Sequence, residues 1–228
     1  MRMGRKSNMA AAVFALMTLA AAAGMLWLRQ RHLGIPIWIP TCAASTSFLL
    51  TAIARGAGGH WPGRLMLLGL AFCWLGDLIG PLDFMSGVGA FLAAHLAFIA
   101  AFVVRGLRLP LVRRDAVLAF AISGVIACWL LPHVPSGQLP LVAAYILVIS
   151  TMWICAGGTA FDGPGRLMLV GATIFYISDI FVARWRYVDT STVNALFCYP
   201  LYYLACVILA WASGFGYHAH LQRDGKEG

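Results

Sequence analysis

Charge is scarce along this sequence, and negative charge is the scarcer sign. Only 11% of the 228 residues are charged and 8 are acidic, whereas 61% are hydrophobic; soluble domains typically have about 25% charged residues. A chain with so little polar surface cannot coat a soluble globule of this size. The mean hydropathy of +0.84 agrees. The sequence therefore indicates an integral membrane protein.

The motifs of common soluble enzymes and of metal sites are also missing. The chain has no P-loop, G-x-S-x-G, H-E-x-x-H or dinucleotide fingerprint. Its six histidines, among them His218 and His220 in the polar C-terminal tail, form no zinc pattern. The six cysteines all fall in apolar segments without a C-x-x-C pair, which is typical of small core residues. We expect no metal and no other cofactor.

Long apolar runs dominate what is present. A membrane span needs about 20 apolar residues to cross roughly 30 Å of hydrocarbon. Because lipid offers no partners to backbone polar groups, such runs must be helices. The predicted fold is all-α, a polytopic bundle of eight transmembrane helices. The predicted spans are 9–28, 35–54, 64–82, 87–104, 115–132, 139–156, 166–183 and 193–213.

The basic residues predict the topology of these spans. Of the 16 Lys and Arg residues, 12 lie at the two termini and in the loops after the second, fourth and sixth spans. The positive-inside rule then places both termini in the cytoplasm, and the composition favours a bacterial inner membrane. Arg105, Arg108, Arg113 and Arg114 carry much of this bias, and we expect them to orient the chain and contact anionic headgroups. Topology thus explains the net charge of +8 without a nucleic-acid partner.

The chain repeats itself at an offset of 102 residues. Pro62–Gly69 and Pro164–Gly171 match at seven of eight positions, and Asp77 falls on Asp179. The same shift carries the first four spans onto the last four, which predicts two parallel four-helix repeats, 1–104 and 105–228, within one membrane domain. The first span resembles a signal peptide, but its counterpart in the second repeat argues against removal.

Three ionisable side chains fall well inside the spans. A charged group in hydrocarbon costs a few kcal/mol, so it usually faces the bundle interior and marks a site. Asp77 and Asp179 occupy one depth toward the outer end of their helices because parallel repeats place equivalent residues alike. His95, in the fourth span, can approach that depth. A purely structural role, in which each aspartate locks neighbouring helices, is the simpler alternative.

Hydroxyl groups are concentrated near the same outer region. Ser178 precedes Asp179 directly, and Tyr176, Tyr199 and Tyr202 lie in the seventh and eighth spans. Tyrosines also populate membrane interfaces as anchors, but their position next to the aspartates makes these four residues candidates for substrate binding. Arg184 and Arg186, which follow the seventh span, are expected to be interface anchors.

Four segments together resemble the YhhN-like membrane proteins, which include the TMEM86 lysoplasmalogenases. They are WLGDLIG (74–80), FLAAHLAFIAAF (91–102), GATIFYISDIFVARWRY (171–187) and YPLYYLACVILAWAS (199–213). Two positions depart from the family pattern. Ile39 precedes Pro40 where a lysine is usual, and Cys206 stands where a glutamine is common.

The resemblance implies a hydrolase that cleaves the vinyl ether bond of a lysoplasmalogen to a fatty aldehyde and a glycerophospho-base. Such cleavage requires an acid that protonates the alkene and a base or stabiliser for the cationic intermediate. Asp77 and Asp179 suit these catalytic roles as a protonated and an ionised carboxyl, with His95 orienting one of them or the water. The expected partners are a lysophospholipid substrate and membrane lipids.

Two other functions fit the same residues. Parallel repeats with paired intramembrane carboxylates also suit a proton-coupled transporter of a small molecule. A metal-dependent hydrolase would use Asp77, Asp179 and His95 as ligands, but one intramembrane histidine makes this a weaker interpretation.

Overall fold

A computed structural model describes residues 2–31 and 37–215, with side chains from 6 to 29 and from 37 to 215. The predicted all-α fold is confirmed. Two single 3₁₀ turns, Ala57–Gly59 and Leu131–His133, accompany the α-helices. The helices are α1 (Arg2–Arg31), α2 (Trp38–Ala54), α3 (Trp61–Ile79), α4 (Phe84–Arg105), α5 (Leu109–Leu130), α6 (Leu139–Gly158), α7 (Gly163–Tyr187) and α8 (Val193–Ala212).

Seven helices of the described chain are long and apolar enough to cross a membrane, and α2, with 17 residues, is shorter but also apolar. Seventeen residues is the lower limit for a span. The predicted boundaries were wrong at α1, which begins at Arg2 rather than at 9, and at α5, which begins at Leu109 rather than at 115. They were also wrong at α7, which continues to Tyr187 rather than ending at 183. The runs of apolar residues end at charged residues, whereas the helices continue through them toward the membrane surface. His218 and His220 lie outside the described residues.

Helix packing follows the chain order within each half of the sequence. α1 packs on α2, α2 on α3 and α3 on α4, and the same neighbours recur as α5 with α6, α6 with α7 and α7 with α8. This recurrence agrees with the predicted duplication, which stays a prediction. α8 lies at the centre, against α1, α2, α3 and α7. α5 is peripheral, and its Val117, Phe120 and Val125 are 71%, 85% and 71% exposed.

The repeated Pro-Gly-Arg segments are helix starts. His60 caps α3 by accepting from the Gly63 N–H over 3.1 Å, and Asp162 caps α7 by accepting from the Gly165 N–H over 2.7 Å. A proline in the first turn suits both helices because its missing N–H would be unsatisfied there. A β carbon on either glycine would collide with a carbonyl oxygen of the preceding turn. The strongest sequence repeat therefore fixes where the two aspartate-bearing helices begin.

Candidate active site

A cavity of about 820 Å³ lies at the end of the bundle where α1, α3 and α7 finish. Residues from all eight described helices line it, and both Asp77 and Asp179 are among them. Its volume lies in the range of small-molecule sites. Much of the wall is aliphatic, with contributions from Ile126, Ile146 and Ile180. The cavity therefore offers two carboxyl groups to a ligand that is largely apolar.

Asp77 is held by hydroxyl groups from two other helices. Its Oδ2 contacts the hydroxyl of Ser45 on α2 and accepts from Tyr202 on α8 over 3.0 Å. The oxygen of Ser45 also lies 2.9 Å from the carbonyl of Thr41. Ser45 has a single hydroxyl hydrogen. When that hydrogen is donated to Thr41, the contact with Asp77 requires a proton on the carboxyl, so this network accommodates both the protonated and the ionised form of Asp77.

Asp179 is held by a different network. Its Oδ2 accepts from the hydroxyl of Tyr145 on α6 over 2.7 Å and lies 3.7 Å from His95 Nε2. On the other side of the ring, His95 Nδ1 lies 2.6 Å from the carbonyl oxygen of Phe91. Because a carbonyl only accepts, Nδ1 carries a hydrogen, and in neutral imidazole Nε2 is then an acceptor. That acceptor faces Asp179.

The Nε2 atom of His95 is buried and has no hydrogen-bond partner among the described residues. A separation of 3.7 Å exceeds hydrogen-bond range. If Asp179 carries a proton and the two groups move slightly closer, Asp179 can donate a hydrogen bond to His95 Nε2. His95 does not belong to the cavity wall, so it lies behind Asp179 and can act on a substrate only indirectly.

Aromatic rings separate the two networks. The ring of Phe175 packs edge-on against His95 at 4.9 Å and against Tyr202 at 5.4 Å between centroids. The two carboxyl groups line one cavity, yet in the described residues no hydrogen bond joins their networks. This arrangement lets the two groups hold different protonation states in one apolar site.

The structure brings three of the four expected substrate-binding residues to the cavity wall: Tyr176, Tyr199 and Tyr202. Tyr176 bonds to Ser123 over 2.9 Å, and Tyr199 accepts from Arg29 over 3.0 Å. Ser178 is fully buried and donates to the carbonyl of Phe175 over 2.8 Å. Successive residues of a helix point about 100° apart, so Ser178 does not line the cavity, although its hydroxyl also donates to Asp179 Oδ1 over 3.4 Å.

Sequence reasoning missed Ser45, Tyr145 and Arg29. Ser45 lies on the second helix of the first half and Tyr145 on the second helix of the second half. The hydroxyl of each contacts the aspartate of its own half, but the two positions are 100 rather than 102 residues apart. A repeat aligned at a fixed offset therefore does not pair them. Arg29 lies at the end of an apolar run, where a basic residue usually serves the topology of a span.

Several arginines have structural partners away from the cavity. Arg105 binds both carboxylate oxygens of Asp162, at 2.8 and 2.7 Å, and so reinforces the cap of α7. Arg184 binds Asp189 over 2.7 Å. The Ser191 backbone N–H, which donates to Asp189, lowers the pKa of that carboxyl. These arginines have structural roles beyond the orientation and anchoring expected of them.

The described residues contain no group of three His, Cys, Asp or Glu side chains placed to share a metal ion. Asp77, Asp179 and His95 are thus not arranged as one ligand set. All six cysteines are free; Cys73, Cys155, Cys198 and Cys206 are buried, whereas Cys128 is exposed rather than in the core as expected. Cys128 lies on peripheral α5, which explains its exposure.

Three relatives of this chain carry the same activity in their names. Lysoplasmalogenase TMEM86B of Sus scrofa is 30% identical over 193 residues, which are 82% of this chain and 79% of that protein. The lysoplasmalogenase of Mycobacterium bovis is 31% identical over 195 residues, 77% of this chain and 70% of its own. Lysoplasmalogenase TMEM86A of Homo sapiens is 26% identical over 202 residues, 82% of this chain and 77% of its own.

No solved structure matches the chain. The profile of the YhhN family matches residues 38–213, which include both aspartates, His95 and most of the cavity wall. This match covers well over half of the sequence and agrees with the named relatives. The chain belongs to the YhhN family.

Proposed function

We propose that this protein is a membrane hydrolase that cleaves the vinyl ether bond of lysoplasmalogens. The observation that carries the proposal is the pair of intramembrane carboxyls, held in separate networks, on the wall of one cavity largely lined by apolar residues. Three relatives are named lysoplasmalogenases. The products would be a fatty aldehyde and glycerophosphoethanolamine or glycerophosphocholine.

The reaction needs one proton donor and one proton acceptor. A proton adds to the vinyl carbon that does not bear oxygen, which gives an oxocarbenium ion. Water then adds to the oxygen-bearing carbon and loses a proton to form a hemiacetal. As the hemiacetal collapses, the protonated acceptor delivers a proton to the glycerol oxygen while the bond from that oxygen to carbon breaks, and the ionised donor takes the hydroxyl proton. The aldehyde is released, one water is consumed, and both groups return to their starting protonation states.

Asp77 is the proposed acid. Its contact with Ser45, whose hydrogen can go to the carbonyl of Thr41, accommodates a protonated carboxyl beside the substrate. As a proton leaves Asp77 for the alkene, the hydroxyls of Tyr202 and Ser45 can both donate to the carboxylate that forms. The network thus stabilises the ionised form at the moment when it appears.

Asp179 is the proposed base and stabiliser. The Tyr145 hydroxyl donates to the ionised carboxylate, which can face the oxocarbenium ion and then accept the proton of the attacking water. Once protonated, Asp179 can donate to the acceptor nitrogen of His95. His95 is therefore a positioning residue that favours the protonated state of Asp179 after water attack. Two carboxyls around an oxocarbenium ion also serve glycosidases, which is a chemical analogy.

The proposed placement of the substrate follows from the cavity. The fatty chain would lie along the aliphatic wall, and the glycerophosphate would point to the end where α1, α3 and α7 finish. The distribution of Lys and Arg supports both termini in the cytoplasm, and the composition supports a bacterial inner membrane, so this end would face the outer leaflet.

Mass spectrometry of fatty aldehyde tests the proposed function. The detergent-solubilised protein is incubated with a vinyl ether lysophospholipid and, separately, with its ester-linked counterpart. Aldehyde release from the vinyl ether lipid, without fatty acid release from the ester, is expected. Absence of turnover of both lipids would contradict the proposal and favour the proton-coupled transporter, which should carry labelled solute into sealed vesicles unchanged.

A further inference from the structure

Arg29 lies on the wall of the same cavity as the two aspartates. It stands near the end of α1, and its guanidinium is 5.3 Å from the ring of Trp185 and 5.0 Å from the ring of Tyr199. One terminal nitrogen donates to the Tyr199 hydroxyl over 3.0 Å. The aromatic contacts hold the guanidinium in place, and its remaining terminal N–H groups can serve a ligand in the cavity.

No carboxylate neutralises this cation in the described part of the chain. The ion pairs of other arginines there are Arg105 with Asp162, Arg114 with Asp115 and Arg184 with Asp189. Arg29 is in none of them, and its Nε is buried without a hydrogen-bond partner among the described residues. Arg29 as a whole is half-buried; a buried donor without a partner is costly, and a cation partly removed from water is usually given a counter-ion. An anionic ligand in the cavity would supply the counter-ion that Arg29 lacks among the described residues.

Arg186 adds a second positive charge to the cavity wall. It belongs to the last turn of α7, and its guanidinium lies 4.6 Å from the ring of Phe84. It too is absent from the ion pairs of the described residues. The cavity therefore has two carboxyls, Asp77 and Asp179, and two arginines without carboxylate partners.

The spacing of Asp179 and Arg186 along α7 suits the separation of the vinyl ether and the phosphate in a lysoplasmalogen. Arg186 follows Asp179 by seven residues, which is about 10 Å along a helix axis. In a lysoplasmalogen the phosphate and the vinyl ether occupy the two ends of one three-carbon glycerol. A phosphate held by the arginine side chains would therefore leave the vinyl ether within reach of the aspartates.

We infer that Arg29, supported by Arg186 and Tyr199, binds the phosphate group of the lysophospholipid. The inference rests on the proposed function for the identity of the substrate, but the site itself requires only an amphiphile with a phosphate near one apolar chain. A planar guanidinium can donate two parallel hydrogen bonds to phosphate oxygens. The Tyr199 hydroxyl, which accepts from Arg29, can donate its own hydrogen to a third. The site thus distinguishes a lysophospholipid from a neutral lipid with the same chain.

Binding of non-hydrolysable lipids tests this site without relying on catalysis. The probes are a saturated 1-O-alkyl lysophosphocholine and the matching 1-O-alkylglycerol, which lacks the phosphate. Their dissociation constants are measured by calorimetry for the detergent-solubilised parent and for Arg29→Gln. The parent should prefer the phosphate lipid, and Arg29→Gln should weaken its binding roughly ten- to hundredfold, as expected for loss of a charged hydrogen bond. Binding of the alkylglycerol should not change.

Matched variants control for general damage. Arg108→Gln removes an arginine that also stacks on a ring, 4.6 Å from Phe161, but at the opposite end of the bundle, and it should bind both lipids like the parent. Arg29→Lys keeps the charge and should retain part of the preference. Arg186→Gln should weaken only the phosphate lipid. If Arg29→Gln loses affinity equally for both lipids, or loses affinity for neither, the assignment of Arg29 to the phosphate is overturned.

The outcomes also separate this site from the proposed reaction. If the parent releases no aldehyde yet binds the phosphate lipid through Arg29, the inferred phosphate site stands and the proposed lysoplasmalogenase function is wrong. If the parent and Arg29→Gln both cleave a vinyl ether lysophospholipid and a 1-O-alkenylglycerol equally well, the proposed function stands and the phosphate site is wrong. Glycerophosphocholine, which has no chain, should compete with the phosphate lipid in the parent; competition that persists undiminished in Arg29→Gln would count against the phosphate contact.

Discussion

The Tyr145 hydroxyl donates to Asp179 Oδ2 over 2.7 Å, on the same carboxylate oxygen that faces His95 Nε2 at 3.7 Å. Tyr202 stands in a similar relation to Asp77, to which it donates over 3.0 Å. Each aspartate is thus held by a tyrosine from a different helix, α6 for Asp179 and α8 for Asp77. Packing of these helices sets the direction in which each carboxyl faces the cavity.

Replacing Tyr145 with phenylalanine should lower catalysis more than binding. The change removes one hydrogen bond to a charged group, worth about 1.5–3 kcal/mol, so kcat should fall roughly ten- to hundredfold while KM changes little. Steady-state aldehyde release across lysoplasmalogen concentrations measures both constants. Tyr187→Phe is the matched control because the Tyr187 hydroxyl donates to Gln138 instead. Similar kcat losses in both variants would show that Tyr145 acts through packing alone.

Two replacements of His95 separate its two nitrogens. Asparagine can keep the donor that binds the Phe91 carbonyl but offers nothing at the Nε2 position. Glutamine is longer and can place an amide oxygen near that position. If the contact with Asp179 matters, His95→Asn should lower kcat at least tenfold with KM unchanged, and His95→Gln should recover part of the loss. Turnover by His95→Asn at the parent rate would show that the reaction does not need His95.

The sequence predicted the fold well because lipid leaves few alternatives. A run of 20 apolar residues must form a helix, and the placement of Lys and Arg predicts its direction. The two aspartates and His95 were visible because ionisable groups are so rare in these spans. Helix ends were less predictable: α5 begins at Leu109 because a helix continues past the charged residues at which hydropathy stops.

Contacts between distant helices could not be predicted in the same way. Ser45 looks like an ordinary small residue until α3 packs beside it, and Arg29 looks like an ordinary flanking charge until α7 and α8 do. Ser178 shows the limit of adjacency in sequence, because it adjoins Asp179 but lies about 100° away around the helix and outside the cavity wall. The repeat predicted equivalent aspartates but not their partners, since Tyr145 and Ser45 do not share a register.

Asp162 should stabilise the protein without entering the chemistry. It caps α7 through the Gly165 N–H and binds Arg105, far from the cavity. Asp162→Ala should lower the thermal midpoint, with a loss of about 1–2 kcal/mol typical of a helix cap, while activity well below that midpoint stays near the parent level. Asp162→Asn keeps a capping oxygen and should lose less. Equal destabilisation by alanine and asparagine would argue that the ion pair, not the cap, is what matters.

The paired carboxyls are tested most directly by aldehyde release from a vinyl ether lysophospholipid in Asp77→Asn and Asp179→Asn. Asparagine preserves shape and hydrogen-bonding capacity but can neither deliver nor accept the required proton. Asp83→Asn is the control, since Asp83 lies near the same end of the bundle, caps α4 and does not line the cavity.

We expect each cavity variant, folded and inserted like the parent, to lose at least a hundredfold in kcat, whereas Asp83→Asn should retain parent activity. Aldehyde release at the parent rate by either Asp77→Asn or Asp179→Asn would contradict the role of paired aspartates in this site.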